Sequence, residues 1–180
     1  MKITEHMFQN ERVDIYKIKV SPEAKEAEKR NDDEKLKKLA YFHSVKKNVI
    51  PIIGRERINR ILAGEASISN KDTIGESYPN ISAIGTSNTV PTENSTKLTN
   101  EVFRKYIQSR LYNGNILWIM SRYLPEDCNG SFREEAIFFE GNKDVKDSGY
   151  PISIINLTAA EGDKTELEYL IIDRKFILNI

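Results

Sequence analysis

Residues 12 to 20 alternate between apolar and polar side chains, which predicts a β-strand near the start of the chain. The alternation changes phase once, between Ile15 and Tyr16. A phase change of this kind is typical of a β-bulge, because one extra residue turns the following side chains to the other face. We therefore expect a bulged strand here.

Residues 22 to 41 are almost all charged or small, and acidic residues stand four positions before basic ones, as in Glu26 and Arg30. Such pairs stabilise a helix, and Ser21 followed by Pro22 is typical of a helix start. Asn31 and Glu34 fit a capping box, so we expect the helix to break and restart there. Its apolar stripe is narrow.

A second helix is predicted from Gly54 to Ala63, because Ile58, Ile61 and Leu62 repeat at helical spacing and Gly64 suits a helix end. Polar residues 65 to 80 follow and predict a loop.

From residue 81 onward, short apolar runs alternate with turn residues, which predicts β-strands. The strongest hairpin signal is Asn113-Gly114 between the runs 102 to 111 and 116 to 124. The last strand, 165 to 180, changes phase at Asp173-Arg174, where we expect a bulge. The fold class predicted is α+β, mainly β: an antiparallel β-sandwich preceded by a short helix, with an N-terminal strand-helix extension. The predicted core comprises Ile81, Ile84, Phe103, Trp118, Ile137, Phe139, Ile154, Tyr169, Ile171 and Leu178.

The chain has no net charge, since 27 basic and 27 acidic side chains cancel over 180 residues. We therefore expect no nucleic-acid partner, and no apolar run approaches the ~20 residues that insertion into a membrane needs. The start of the chain lacks the apolar segment of a secretory signal, and Cys128 is the single cysteine, so synthesis in a reducing cytoplasm is expected.

Candidate catalytic and ligating residues do not form recognisable sets. His6 and His43 have no ligand or catalytic partner at a suitable spacing, and acidic neighbours disfavour a reactive thiolate at Cys128. Glu134 and Glu135 are adjacent in a predicted strand, so their side chains point to opposite faces. We expect no catalytic residues, no cofactor and no metal site, and hence no enzyme.

Two surface features have competing interpretations. Around the hairpin stand four aromatic residues that could form a sugar-binding platform, although their spacing also fits core or interface packing: Tyr106, Tyr112, Trp118 and Tyr123. Near the second helix, five basic residues fit a solvated helix face better than a nucleic-acid site: Lys46, Lys47, Arg55, Arg57 and Arg60.

Several motifs occur in a fixed order over roughly residues 50 to 180. Gly54 to Gly64 give Gly-Arg-x-x-Ile-x-x-Ile-Leu-Ala-Gly. A strand then ends in Gly85-Thr86-Ser87, and a polar loop with Pro91-Thr92 leads to Leu98-x-x-Glu101-x-x-Arg104. Glu134 to Glu140 form a later strand. Together they resemble bacteriophage tail and baseplate proteins of the tail-fibre N-terminal (tail-collar) type, with Ala136 where those proteins usually have Gly.

The resemblance implies a virion structural protein, made in the host cytoplasm, that links a tail or baseplate to a receptor-binding fibre. Its partners would be other tail or baseplate proteins, further copies of itself, or the fibre. Residues 1–45 lie outside the resemblance and are interpreted as a docking extension to a β domain at 46–180. A carbohydrate-binding module is the alternative, and a hydrolase of unfamiliar type is least favoured because no nucleophile is paired with a base.

The docking hypothesis rests on the N-terminal strand, which is apolar in both phases and would expose unpaired backbone groups if it stood alone. We predict that residues 8 to 20 complete a sheet or groove in a neighbouring protein. The interface residues predicted are Val13, Ile15, Tyr16, Ile18 and Val20.

Overall fold

The computed structural model describes residues 12–62 and 78–177, and their strands form two facing antiparallel sheets, as the sequence predicted. The predicted features at residues 8–11, Ala63, Gly64, 65–77 and Leu178 lie outside the described residues, as does His6. In chain order the elements are β1 (Arg12–Lys19), α1 (Pro22–Lys29), α2 (Asp33–Lys38), β2 (Phe42–Lys46), α3 (Ile52–Leu62), β3 (Pro79–Gly85), β4 (Glu101–Tyr106), β5 (Ser109–Asn113), β6 (Ile116–Tyr123), β7 (Gly130–Ser131), β8 (Glu134–Phe139), β9 (Tyr150–Asn156), α4 (Ala159–Gly162), β10 (Asp163–Lys164) and β11 (Glu168–Ile177).

The larger sheet has the strand order β2-β1-β11-β6-β5, and the smaller one has the order β4-β3-β8-β9. The short strands β7 and β10 pair separately. The space between the two sheets holds most of the core, including Ile15, Ile84, Ile155 and Ile172. The sandwich therefore forms from strands at both ends of the chain.

The N-terminal strand belongs to this sandwich. β1 pairs antiparallel with β11 from Arg12 opposite Lys175 to Lys19 opposite Glu168, and its other edge pairs with β2. The predicted boundary between residues 45 and 46 thus falls inside β2, a strand that lies in the same sheet as β11.

The predicted bulge at Ile15 and Tyr16 is wrong, because the pairing of β1 with β11 is continuous there. The apolar phase changes for another reason. Ile15 packs between the sheets, whereas Ile18 packs on the outer face against Ala24 and Leu36 from the helices. Both faces of β1 are covered, and both carry apolar residues.

The predicted bulge at Asp173 and Arg174 is also wrong, since β11 pairs without a shift with β1 and with β6. Alternation continues through this region with a charged residue at an inward position: Arg174 lies between Ile172 and Phe176 on the inner face and is 1% exposed. Because this inward position carries a charged side chain, the sequence pattern resembles a change of phase, although the strand pairing is regular.

Local signals predicted the start of α1 correctly and the start of α2 to within one residue. The Ser21 hydroxyl accepts a hydrogen bond from the backbone N–H of Ala24 at 3.1 Å, with Pro22 in the first turn. The charged helix breaks at Asn31, which has φ of 53°. The cap of α2 is Asp32, not Asn31, because the Asp32 carboxylate accepts from the N–H of Lys35 at 2.9 Å.

The helix predicted from Gly54 begins at Ile52 and packs on β9. Gly54 is the point of closest approach, since a Cβ there would meet the backbone of Pro151 and lie 2.9 Å from the Cα of Ile152. Ile58 and Ile61 pack against the inter-sheet core beyond it.

The single strand predicted over 102 to 111 is divided between the two sheets. The N–H of Ile107 bonds to Asn80 of β3 at 3.0 Å, and the next N–H, of Gln108, bonds to Met120 of β6 at 3.0 Å. β4 therefore ends one sheet and β5 begins the edge of the other. The predicted hairpin follows, with Gly114 at φ of 58° in a two-residue turn.

Most of the predicted core is buried. Phe103 and Trp118 are only half-buried, and Leu178 lies outside the described residues. The buried positions are Ile81, Ile84, Ile137, Phe139, Ile154, Tyr169 and Ile171.

Candidate functional site

The motif residues, separated along the chain, meet at one end of the smaller sheet. Gly85 pairs with Glu101 of β4 on one side and with Glu134 of β8 on the other. The Glu134 carboxylate accepts hydrogen bonds from the backbone N–H of Thr99, at 2.9 Å, and of Asn100, at 2.7 Å. We call this group the motif cluster: Gly85, Leu98, Glu101, Arg104 and Glu134.

Within the motif cluster, Arg104 joins β4 to the loop after β8. Its guanidinium donates two hydrogen bonds to the Glu101 carboxylate, at 2.6 and 2.8 Å. It also donates to the carbonyl of Asn142 at 2.8 Å and to the hydroxyl of Ser148 at 2.6 Å. Both charged groups are buried and paired, and the arrangement holds the loop after β8 against β4.

The motif cluster fixes both ends of the loop 86–100. Leu98 is buried on the outer face of the smaller sheet with Phe138, and the Asn100 amide donates to the Thr86 hydroxyl at 2.7 Å. Further along the loop, the N–H of Ile52 bonds to the carbonyl of Glu93 at 2.7 Å. A long polar loop held this firmly is typical of a surface that presents side chains to a partner.

The two adjacent glutamates diverge, as the sequence predicted. Glu135 points between the sheets, where its carboxylate pairs with the Arg174 guanidinium and accepts from the Ser82 hydroxyl at 2.9 Å. Ser82 also lies 2.5 Å from the Tyr123 hydroxyl, and burial raises the Tyr123 pKa well above 10. We call this group the buried network; its charges neutralise each other and bridge the two sheets.

A cleft of about 630 Å³ lies on the outer face of the larger sheet, between the start of α2 and the β5–β6 hairpin. We call it the hairpin–helix cleft. Its apolar lining includes Trp118 and Met120, and its acidic lining includes Asp33 and Asp173.

The charges in the hairpin–helix cleft are mostly paired. Asp173 accepts from the Lys37 ammonium at 2.6 Å, and Asp33 accepts from Arg122 at 2.8 Å. Desolvation raises the pKa of both carboxyl groups despite these cations. The cleft thus combines an aromatic surface with polar groups at its rim.

The four hairpin aromatics do not form one platform. Tyr123 is in the core, and Tyr106 lies in β4 of the other sheet. Trp118 and Tyr112 remain, and both line the hairpin–helix cleft. Tyr112 is adjacent to Leu111, the cross-strand partner of Trp118, so the Tyr112 and Trp118 side chains point to opposite faces of the sheet. A sugar-binding interpretation can therefore use Trp118 alone of the four.

The predicted interface residues of the N-terminal strand lie in the chain's own fold. Val13, Ile15 and Ile18 are fully buried, and Tyr16 and Val20 are half-buried against the helix-covered outer face. The prediction assumed an unpaired strand, and this premise is wrong because β1 has a neighbour on each edge. Among the described strands, β5 has an unpaired outer edge, which was not predicted; its sequence signal is the adjacent apolar pair Leu111 and Tyr112 before the turn.

The remaining candidates have structural partners. His43 stacks on Tyr16 at 4.5 Å between ring centres and lies 2.7 Å from an Asp14 oxygen. Burial raises the Cys128 pKa to about 11, which keeps the thiol protonated at neutral pH. In the basic group, Lys46 contacts Glu161 at 2.5 Å, Arg55 contacts Glu93 at 2.7 Å, and Arg57 contacts Glu140.

Comparisons with protein-family models, with curated proteins and with solved structures found no match for this chain. Across residues 12–62 and 78–177, no group of three His, Cys, Asp or Glu side chains could hold a metal ion. In the same part of the chain, no helix has the length and apolar character to cross a membrane.

Proposed function

We propose that this protein is a non-enzymatic structural component of a bacteriophage or phage-like contractile tail, acting in the baseplate or at the attachment of a receptor-binding fibre. It would be made in the host cytoplasm and incorporated into the virion through contacts with other tail proteins or copies of itself.

The observation that supports this proposal is the motif cluster. Three sequence segments carry the tail-protein resemblance there, and Gly85 of one is the strand partner of Glu101 on one side and of Glu134 on the other. Gly54 of the fourth segment is the contact point of α3 on β9. Motifs that serve one connected part of a fold are a stronger basis for the resemblance than four unrelated short matches.

The proposal is tested by deleting the gene from the phage or prophage that encodes it and viewing the particles by electron microscopy. We expect tails with an incomplete baseplate or without fibres, restored when wild-type protein is supplied in trans. Particles of normal structure and infectivity from the deletion would contradict the proposal.

A carbohydrate-binding module is the second candidate, and the observation that favours it is Trp118 in the hairpin–helix cleft beside polar side chains. Aromatic faces and hydrogen-bonding groups together suit a sugar ring. The test is binding of the purified chain to host surface polysaccharide. Under this candidate Trp118→Ala abolishes binding, whereas Tyr106→Ala, an exposed aromatic on the other sheet, does not. Unchanged binding by Trp118→Ala would exclude the cleft.

A further inference from the structure

The strand β5 is an open sheet edge with apolar side chains on both of its faces. Leu111 is 66% exposed and Tyr112 is 85% exposed. Among the described strands, none pairs with the outer edge of β5. An edge of this kind is a template for another strand, and proteins that function alone usually protect it with charge, proline or a covering element.

We propose that β5 is a self-docking edge: it pairs antiparallel with β5 of a second copy of the chain, about a twofold axis that passes through Leu111. This deepens the proposed assembly role and rests on it for its biological setting, but the pairing itself is a property of the purified chain.

The backbone of β5 is suited to this pairing. Asn113 and Ile116 close a two-residue turn, so this pair exchanges both of its backbone hydrogen bonds, and alternate residues of β5 do the same with β6. The N–H and C=O groups of Arg110 and Tyr112 therefore point away from β6. In the proposed register Arg110 lies opposite Tyr112 of the second copy, and each of these two pairs can form two hydrogen bonds.

The side chains favour the second copy as the occupant. With the axis at Leu111 all five residues of β5 are paired, and Arg110 meets an aromatic ring instead of another cation, which is favourable. An axis at Arg110 would oppose two like charges. Arg110 already stacks on Tyr78, with its guanidinium 4.0 Å from the ring centre, so a tyrosine of the second copy would extend that stack.

The outer face of the joined sheets would be apolar at the axis. Leu111 and Trp118 are cross-strand partners in each copy. Pairing places the two leucines side by side with a tryptophan on either side of them. A five-residue strand is small beside the ~1,000 Å² of a typical stable interface, so we expect weak association of the free chain and stronger association within an assembly, where copies are held close together.

Disulfide trapping tests the register even for a weak complex. In a Cys128→Ala background, Leu111→Cys places two thiols on the axis, where directly opposed Cα atoms are about 4.5 Å apart. Tyr112→Cys is the matched control, because two residues at that position would be about 8 Å apart across the axis. We expect disulfide dimers to accumulate much faster with Leu111→Cys. Equal rates, or no dimer from Leu111→Cys, would overturn the proposal.

A second variant tests the backbone bonds. Tyr112→Pro removes an outward N–H without removing a bond to β6, so the chain should fold while trapping through Leu111→Cys falls about tenfold or more. Val45→Lys on β2, the opposite edge of the same sheet, should leave trapping unchanged. If Val45→Lys abolished trapping and Tyr112→Pro did not, the contact would lie at the β2 edge instead of the β5 edge, and the proposal would be overturned. Because these readouts need no particle, they can fail while the tail proposal stands, and the reverse also holds.

Discussion

Single charged residues connect parts of this chain that are far apart in sequence. Arg174 in the last described strand neutralises Glu135 in the opposite sheet, and both side chains are almost completely buried. Glu161 in α4 accepts from Lys46 and Ser44 of β2. These contacts could not be predicted from the sequence, because a strand pattern assigns a charged residue to the solvent unless its buried partner is known.

Replacing Arg174 by Met should destabilise the protein by about 3–5 kcal/mol, because Glu135 would then be a buried charge without its cation. The double variant Glu135→Leu with Arg174→Met should recover most of that loss, since two apolar groups need no partner. Chemical denaturation measures both. A double variant as unstable as the single one would mean that the pair itself supplies the stability.

Glu161 should make stability depend on pH in the acidic range. Desolvation acts to raise its pKa, but hydrogen bonds from Lys46, Thr158 and Ser44 outweigh it and hold the pKa below 4.5. A lowered pKa in the folded state gives a stabilising contribution that is complete above the unfolded value and is lost as the pH falls through the folded value.

We therefore expect Glu161→Gln to cost about 1–2 kcal/mol at neutral pH, with the difference from wild type closing as the pH falls below 4.5. Unfolding free energies measured across that range check the prediction. The exposed Glu166→Gln is the control and should change stability by less than about 0.5 kcal/mol. A difference for Glu161→Gln that stays constant with pH would contradict the assigned hydrogen bonds.

At the scale of elements, local sequence signals predicted which helices and strands exist better than they predicted which strands pair with each other. Ser21-Pro22 located a helix, and Gly114 located a hairpin turn. The predicted bulge in β1 failed because β1 is covered by the other sheet on one face and by α1 and α2 on the other, so both phases are apolar. The predicted bulge in β11 failed because Arg174 is a charged residue at an inward position. The docking interpretation of β1 assumed an unpaired strand, and this premise was wrong because its edge partners β2 and β11 are elements that the pattern could not pair with it.

The N-terminal strands should therefore be essential to the fold. Deleting residues 1 to 46 removes β1 and β2 and exposes the edge of β11, so we expect an insoluble chain or one without a cooperative unfolding transition. The full chain is the comparison and should show one cooperative transition. Circular dichroism and thermal unfolding compare the two. A folded 47–180 fragment would restore the predicted division into an extension and a separate domain.

At the scale of the whole molecule, the sequence predicted a mainly β sandwich correctly, but not which surface is open. The fold closes the N-terminal strand and leaves exposed the segment from β4 to β5, where Val102, Tyr106, Leu111 and Tyr112 are accessible. The motif cluster holds the long loop 86–100 at one end of the smaller sheet. A sandwich with an open strand edge and a loop held at both ends is suited to contacts between proteins, and this agrees with the assembly role that we propose.

The proposal that this protein is a tail component is tested most directly by quantitative mass spectrometry of purified particles. Particles from the phage or prophage that carries the gene would be banded on a density gradient, and peptides of this chain compared with those of the major tail protein. We predict that the chain bands with intact particles at a constant molar ratio across independent preparations and is retained after a high-salt wash. Its absence from the particle band, while it remains abundant in the lysate, would contradict the account.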